Sequence, residues 1–228
     1  MEQFNQNDLG LNRYLAKTYG LMTCAVLISA ITAWLMMTFF TQQLMGLLIN
    51  HRWSVWFIIL LPILLTLLIN MDAMRSPGLG LALLIITAII YGVTFSLIAG
   101  AYTNANLSAA FISAAAVFLT MAVIGTNTHR DFSRWGSYAS AGLVGLIIAL
   151  LVNLFLNSVM LTYVFSVVAV IIFTILTAWD AQRLKQLYWQ DGGKSPTGLA
   201  IIGSLQLYLD FINLFISFLD IFSSANRD

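Results

Sequence analysis

The chain has little charge. Of 228 residues only ten are Lys or Arg and nine are Asp or Glu, a formal net charge of +1. Nothing in that balance holds a polyanion, so nucleic acid is excluded as a partner. Cysteine is nearly absent: Cys24 stands alone, so no internal disulfide can form, and its place in an apolar run is that of a small packing residue. The two histidines, His51 and His129, lie in separate loops, and no Cys/His cluster has metal-ligand spacing. Proline occurs three times, and Pro77 and Pro196 fall in gaps between apolar runs. Nor is a cleavable signal expected. Glu2, Asp8, Arg13 and Lys17 precede a run too long for a signal-peptide core, so the first span is expected to be a permanent anchor.

What the chain has is apolar surface. Hydrophobic residues make up 60% of it and the mean hydropathy is +0.90, more than the interior of a water-soluble fold of this length can hide. Seven apolar stretches stand out, at 19–40, 54–71, 79–100, 106–125, 137–156, 159–179 and 198–219. Each is near the ~20 residues a helix needs to cross the hydrocarbon, and none alternates as a barrel strand would. The expected fold is therefore an all-α integral membrane protein: a cytoplasmic N-terminal segment over 1–18, a single transmembrane domain of seven helices over 19–222, and a short tail over 223–228. Arg75-Ser76-Pro77-Gly78 breaks the chain between spans two and three, and Asn157-Ser158 makes the tightest turn. On a seven-span reading Arg13, Lys17, Arg75, Arg130, Arg134, Arg183, Lys185 and Lys194 fall on one side, and only Arg52 and Arg227 on the other. That asymmetry places the N-terminus in the cytoplasm. The C-terminus then lies outside, unless the last segment is re-entrant.

Small residues recur every four positions on two spans: Gly92, Ser96 and Gly100, then Ala141, Gly145 and Ala149. Such rows let helix backbones approach closely and imply packing, not activity. The last span differs. Gln206, Asp210, Asn213, Ser217 and Asp220 follow one another at spacings of 4, 3, 4 and 3, a narrow polar stripe on an otherwise apolar helix. Polar groups in lipid need protein or water beside them, which suits this helix to the middle of a bundle. A polar glue seam would explain the amides. A carboxylate at Asp210 costs at least ~2.5 kcal/mol to place in lipid and marks a functional position. Asp220, near the outer end, is expected to be solvated.

Asp180 ends the sixth apolar run, and AQRLKQLYWQ after it contains good helix formers, so that helix should continue into the cytoplasm. A local pair with Arg183 is the plain alternative for Asp180. Spans six and seven are consecutive and antiparallel, so Asp180 and Asp210 can meet if the sixth helix carries Asp180 below the membrane surface. Two close carboxylates do not both ionise cheaply, so such a pair shares a proton and senses pH. Arg75, at the end of span two, is the candidate counter-charge.

LTAWDAQRLKQLY followed by GSLQLYLDFINLFISFL resembles the signature of the Bax inhibitor motif family. TNTHRDFSRWGSYASAGLVGLIIALLVNLFLNS resembles that family's fourth-to-fifth loop and fifth span, with His129 where a lysine is common. The resemblance covers about residues 10–222 and points to the bacterial members. It implies seven helices with the last one central, a bacterial inner-membrane location, and a pH-responsive calcium leak. The family's aspartate pair matches Asp180 and Asp210, and its latching arginine has Arg75 as the nearest match.

The leading expectation is a pH-sensitive calcium or cation leak. Asp180, Asp210 and Arg75 form the gate, Gln206, Asn213 and Ser217 line a polar path, and the two carboxylates offer passing Ca²⁺ a weak site. Carboxylate oxygens suit that hard cation, while the absence of an EF-hand pattern excludes a tight site. No resident cofactor is expected, and the partners are the bilayer and cations. A non-channel regulator that binds a membrane protease or another membrane protein is the alternative. An intramembrane aspartyl protease would also use two aspartates on adjacent spans. Leu207-Tyr208-Leu209-Asp210 lacks the glycine-rich sequence that enzyme needs, so the chain is expected not to be an enzyme.

Overall fold

The computed structural model describes residues 2–41, 46, 65, 76–100, 102–128, 130–192 and 196–225. The expected span at 54–71 (apart from Leu65), together with Arg75 and His129, lies outside them. Six helices long and apolar enough to cross a membrane are described. They are α1 (Glu2–Phe39), α2 (Pro77–Ala99), α3 (Asn104–Asn127), α4 (Ser133–Leu156), α5 (Val159–Asp191) and α6 (Pro196–Ala225).

Two helices outrun their apolar stretches. α1 begins at Glu2 rather than near residue 19. Its inward face, Leu11, Tyr14, Leu15, Thr18, Met22, Ala25 and Ser29, is buried at steps of three and four that cross from the polar segment into the apolar run. α5 continues past the membrane run to Asp191, as the helix formers after Asp180 lead one to expect. The ends of other helices have local causes. Thr103 caps α3 by accepting a hydrogen bond from the Asn106 N–H at 3.2 Å. α4 ends at Asn157, whose φ of 49° is left-handed, a conformation asparagine tolerates better than most residues. Asn153 pins that turn: its oxygen accepts from the Ser158 N–H at 3.2 Å and its nitrogen donates to Thr162 at 2.9 Å. Pro196 opens α6, at a position where a missing N–H costs nothing.

The chain forms two compact units, Met1–Ala101 with Leu187–Tyr208, and Tyr102–Gln186 with Leu209–Asp228. In the first, α1 and α2 pack at Gly92, where a Cβ would run into Thr32 and the Ser29 carbonyl. Ser29 Oγ lies 2.8 Å from the Ala88 carbonyl and 2.7 Å from the Tyr208 hydroxyl. Since a serine has one proton to give, Tyr208 is the donor when Ser29 bonds the carbonyl. Tyr208 is fully buried and meets Tyr91 edge-on at 5.7 Å. Tyr14 stacks on Tyr188 at 5.2 Å.

In the second unit α3 turns a row of small residues inward: Ala110, Ala114, Ala122 and Gly125 are buried with Phe118 among them. The row expected on α4 does not play this part. Ala141 and Gly145 are exposed, and the helix buries Gly136, Ala139, Leu146 and Asn153 instead. Small residues permit close approach on whichever face meets a neighbour, and on α4 that face is a different one. The remaining face of α4 is apolar and outward, with Tyr138 and Phe155 the most exposed of its large side chains, as suits contact with lipid tails. Gly100 is likewise exposed, whereas Gly92 and Ser96 are buried. Cys24 is exposed on α1 and does not pack in the interior. α6 is the most enclosed helix: 67% of its most apolar window is buried, against 17–33% for the other five.

Candidate functional site

The second unit contains both Asp180 and Asp210. Asp180 is held by what surrounds it on α5. The carbonyl of Ala178 lies against Gly125 of α3, so closely that a Cβ at 125 would collide with it. The ring of Trp179 covers Gly136 of α4 and would overlap a Cβ there. Gln182 clamps the loop between those helices: its Oε1 accepts from the Phe132 N–H at 2.9 Å and its Nε2 donates to the Arg130 carbonyl at 2.7 Å. Two glycine contacts and two hydrogen bonds therefore fix the backbone that carries Asp180.

Asp210 faces that position from α6. It is 5% exposed, beside Phe211, whose ring meets Phe111 at 5.6 Å and Phe118 at 5.9 Å. The carboxyl groups of Asp180 and Asp210 stand close enough for each to act on the other. Ionised carboxylates only accept, so a hydrogen bond between two of them requires that one carry a proton. Asp210 Oδ2 is buried and has no ordinary donor among the described residues. Arg183, the local partner considered for Asp180, stands near it. Its guanidinium lies over the Trp179 ring, 5.3 Å from the centroid, and acts on Asp180 as a nearby positive charge.

The stripe residues are placed differently from one another. Asn213 is half-buried and donates to the Leu209 carbonyl at 2.7 Å; Ser217 is buried and donates to the Asn213 carbonyl at 2.7 Å. Gln206 is half-buried and falls in the first unit. Arg75 lies outside the described residues. Asp220 is not the freely solvated end-of-helix group expected of it. It is half-buried, accepting from the Tyr102 hydroxyl at 2.9 Å and from Ser166 at 3.1 Å. Sequence spacing could not have found those partners, since they sit 118 and 54 residues away. Among the described residues no group of three or more His, Cys, Asp or Glu could hold a metal ion, so any cation here meets one or two carboxylates at a time.

Outside the spans, Asp131 accepts from the Ser133 N–H at 2.8 Å at the start of α4. The Ser133 side chain and backbone hold this carboxyl below its usual range.

The family model described as "Inhibitor of apoptosis-promoting Bax1" matches residues 11–227. The chain belongs to the Bax1-inhibitor family. Curated relatives run its whole length. A membrane protein of Streptococcus pyogenes serotype M3 is 38% identical over 219 residues, covering 96% of each chain. The Lactococcus lactis protein YrjE is 38% identical over 229 residues, 99% of this chain and 97% of its own. The inner membrane protein YbhL of Escherichia coli is 35% identical over 236 residues, 98% and 99% of the two chains. With six helices fit to span, this member of the Bax1-inhibitor family is a multi-pass membrane protein.

Proposed function

We propose that the protein is a pH-sensitive cation leak, with calcium the ion its family resemblance implies, gated by Asp180 and Asp210. The observation that carries this reading is the nearness of the two carboxyl groups, with Asp210 enclosed in protein and its Oδ2 buried without a donor among the described residues. A raised pH takes the shared proton, sets two like charges against each other in a site of low polarity, and drives α5 and α6 apart at that level. The backbone around Asp180 is clamped by Gly125, Gly136 and Gln182, so the separation falls on α6. Gln206, Asn213 and Ser217 line the polar path, and Arg75 is the counter-charge assigned from sequence alone. The same proposal includes a seven-span bundle with the second span at 54–71, the last helix in its middle, and a cytoplasmic N-terminus in a bacterial inner membrane. The high burial of α6 and the distribution of Lys and Arg support those assignments.

Carboxylates with no tight cage suit an ion that must leave as readily as it enters. The test is calcium flux into liposomes across a pH series, comparing wild type with Asp180→Asn and Asp210→Asn. Each variant replaces a titrating group by an amide of the same shape. The expected result is a pH-dependent flux in wild type and a flattened profile in both variants. Identical profiles in all three proteins would remove the gate from these residues.

A further inference from the structure

The outward face of α4 changes character along its length. Arg130 and Arg134 are exposed at its start, and Trp135 and Tyr138 are 61% and 73% exposed. Beyond them Val144, Ile148, Val152 and Phe155 continue the exposed face at helical steps, and all four are apolar. Arg134 to Phe155 spans about 31 Å at the helical rise, close to the thickness of a hydrocarbon core. The arginine end therefore lies at the level of lipid headgroups. Its backbone is fixed. Gln182 of α5 bonds the Phe132 N–H and the Arg130 carbonyl, the Arg130 N–H donates to Thr128 Oγ1 at 3.2 Å, and Asp131 accepts from the Ser133 N–H. Gly136 is buried under the Trp179 ring, which turns Trp135 and Tyr138 outward. A ligand that docks here orders little main chain.

We propose that this end of α4 docks one anionic phospholipid, its phosphodiester at Arg130 and Arg134, its glycerol level with Trp135 and Tyr138, and its chains along Val144 to Phe155. Charge complementarity selects the headgroup. Two arginines against one aspartate leave the stretch 130–134 with a net positive charge, which attracts an anionic lipid and repels the cation that a zwitterionic headgroup carries. A guanidinium meets phosphate oxygens with two parallel N–H bonds. Indole and phenol rings belong at the membrane boundary, with the apolar body inward and the polar tip in the headgroup layer. The apolar face beyond them selects a lipid over free phosphate. Asp131, close to Arg134, opposes the phosphate and keeps the site weak enough to exchange with the bulk bilayer.

The test is quenching of tryptophan fluorescence by brominated lipid, with the full chain in phosphatidylcholine vesicles that contain a minor share of phosphatidylglycerol. Bromines on the acyl chains quench an indole that touches them. In one series only the phosphatidylglycerol is brominated, in the other only the phosphatidylcholine. Subtracting the signal of Trp135→Phe, which changes an exposed ring, isolates residue 135. There phosphatidylglycerol should be enriched about fivefold over its share of the bilayer, the effect of one net charge at a membrane surface. The Arg130→Gln/Arg134→Gln double variant should bring the ratio to one or below, and Asp131→Asn should raise it. These side chains are exposed, so the fold should survive, and thermal unfolding checks it. Strong salt should weaken the preference. A ratio near one in wild type, or a preference that survives the double variant, overturns the proposal and leaves the rings as an interfacial belt. Quenching of residue 135 by neither lipid also overturns it, and shows the face to be covered by protein, such as a second copy of the chain. Calcium flux has no part in the readout, so the outcome is independent of the leak reading.

Discussion

Asp210 and Asp220 lie on one face of the same helix, yet their partners differ. Asp210 meets another carboxyl, and its Oδ2 has no ordinary donor. Asp220 receives a hydroxyl on each oxygen. The first contact holds together only around a proton; the second is complete with none. Hydrogen-bond bookkeeping alone thus separates a contact that needs a proton to form from one that needs none. The surroundings agree. The Asp180 end is crowded by backbone contacts at Gly125 and an indole over Gly136. The Asp220 end is tied by two side-chain hydroxyls.

The comparison can be broken most forcefully at the crowded end. Gly125→Leu should destabilise the protein by about 3 kcal/mol, since the obstacle is the Ala178 backbone and not a flexible side-chain tip. Thermal unfolding in detergent measures it, and a loss near zero would mean that α3 and α5 are not packed as described. At the Asp220 end, Ser166→Ala and Tyr102→Phe should each cost about 1.5 kcal/mol, the worth of a hydrogen bond to a charged group. Equal stability of both variants and wild type would show that Asp220 is solvated after all. Gln182→Ala should cost about 1 kcal/mol through its two lost contacts to the 130–132 backbone. It should also shift the pH profile of flux, because Asp180 is two residues away. An unshifted profile would detach the loop from the gate.

The smallest effect belongs to Asp131. Its folded pKa lies below the ordinary value of 3.8, so what it contributes is present above that value and lost as pH falls through the depressed one. Asp131→Asn should therefore lower stability slightly at neutral pH and merge with wild type in strong acid. Unfolding midpoints at both pH values check the sign.

Much of the architecture was legible because apolar runs of membrane length report helices directly. The runs at 79–100, 106–125, 137–156, 159–179 and 198–219 each fall within or close to a described helix. Helix ends were less so. Hydropathy is silent on the amphipathic turns that carry α1 back to Glu2, where only the spacing of Leu11, Tyr14, Leu15 and Thr18 shows a buried face. Asp180 and Asp210 stood out because charge is rare in apolar sequence. That they could meet was a geometric option of two consecutive antiparallel helices. What could not be read was contact between distant segments. Ala141 and Gly145 look as suited to packing as Ala110 and Ala114, and only the neighbours decide between them. Asp220 revealed nothing of Tyr102 or Ser166. Gln182 looked like one more polar helix former, and its carboxamide proved to hold a loop about 50 residues upstream in sequence.

The central claim is a proton shared between the side chains at 180 and 210, and infrared difference spectroscopy of the full chain in lipid reads it directly. A carboxylic-acid carbonyl band should be present in wild type at moderate pH, vanish on alkalinisation as carboxylate bands grow, and be missing from Asp210→Asn. A wild-type spectrum in which every aspartate is already ionised throughout that range, or an acid band that survives in both Asp180→Asn and Asp210→Asn, would contradict the account.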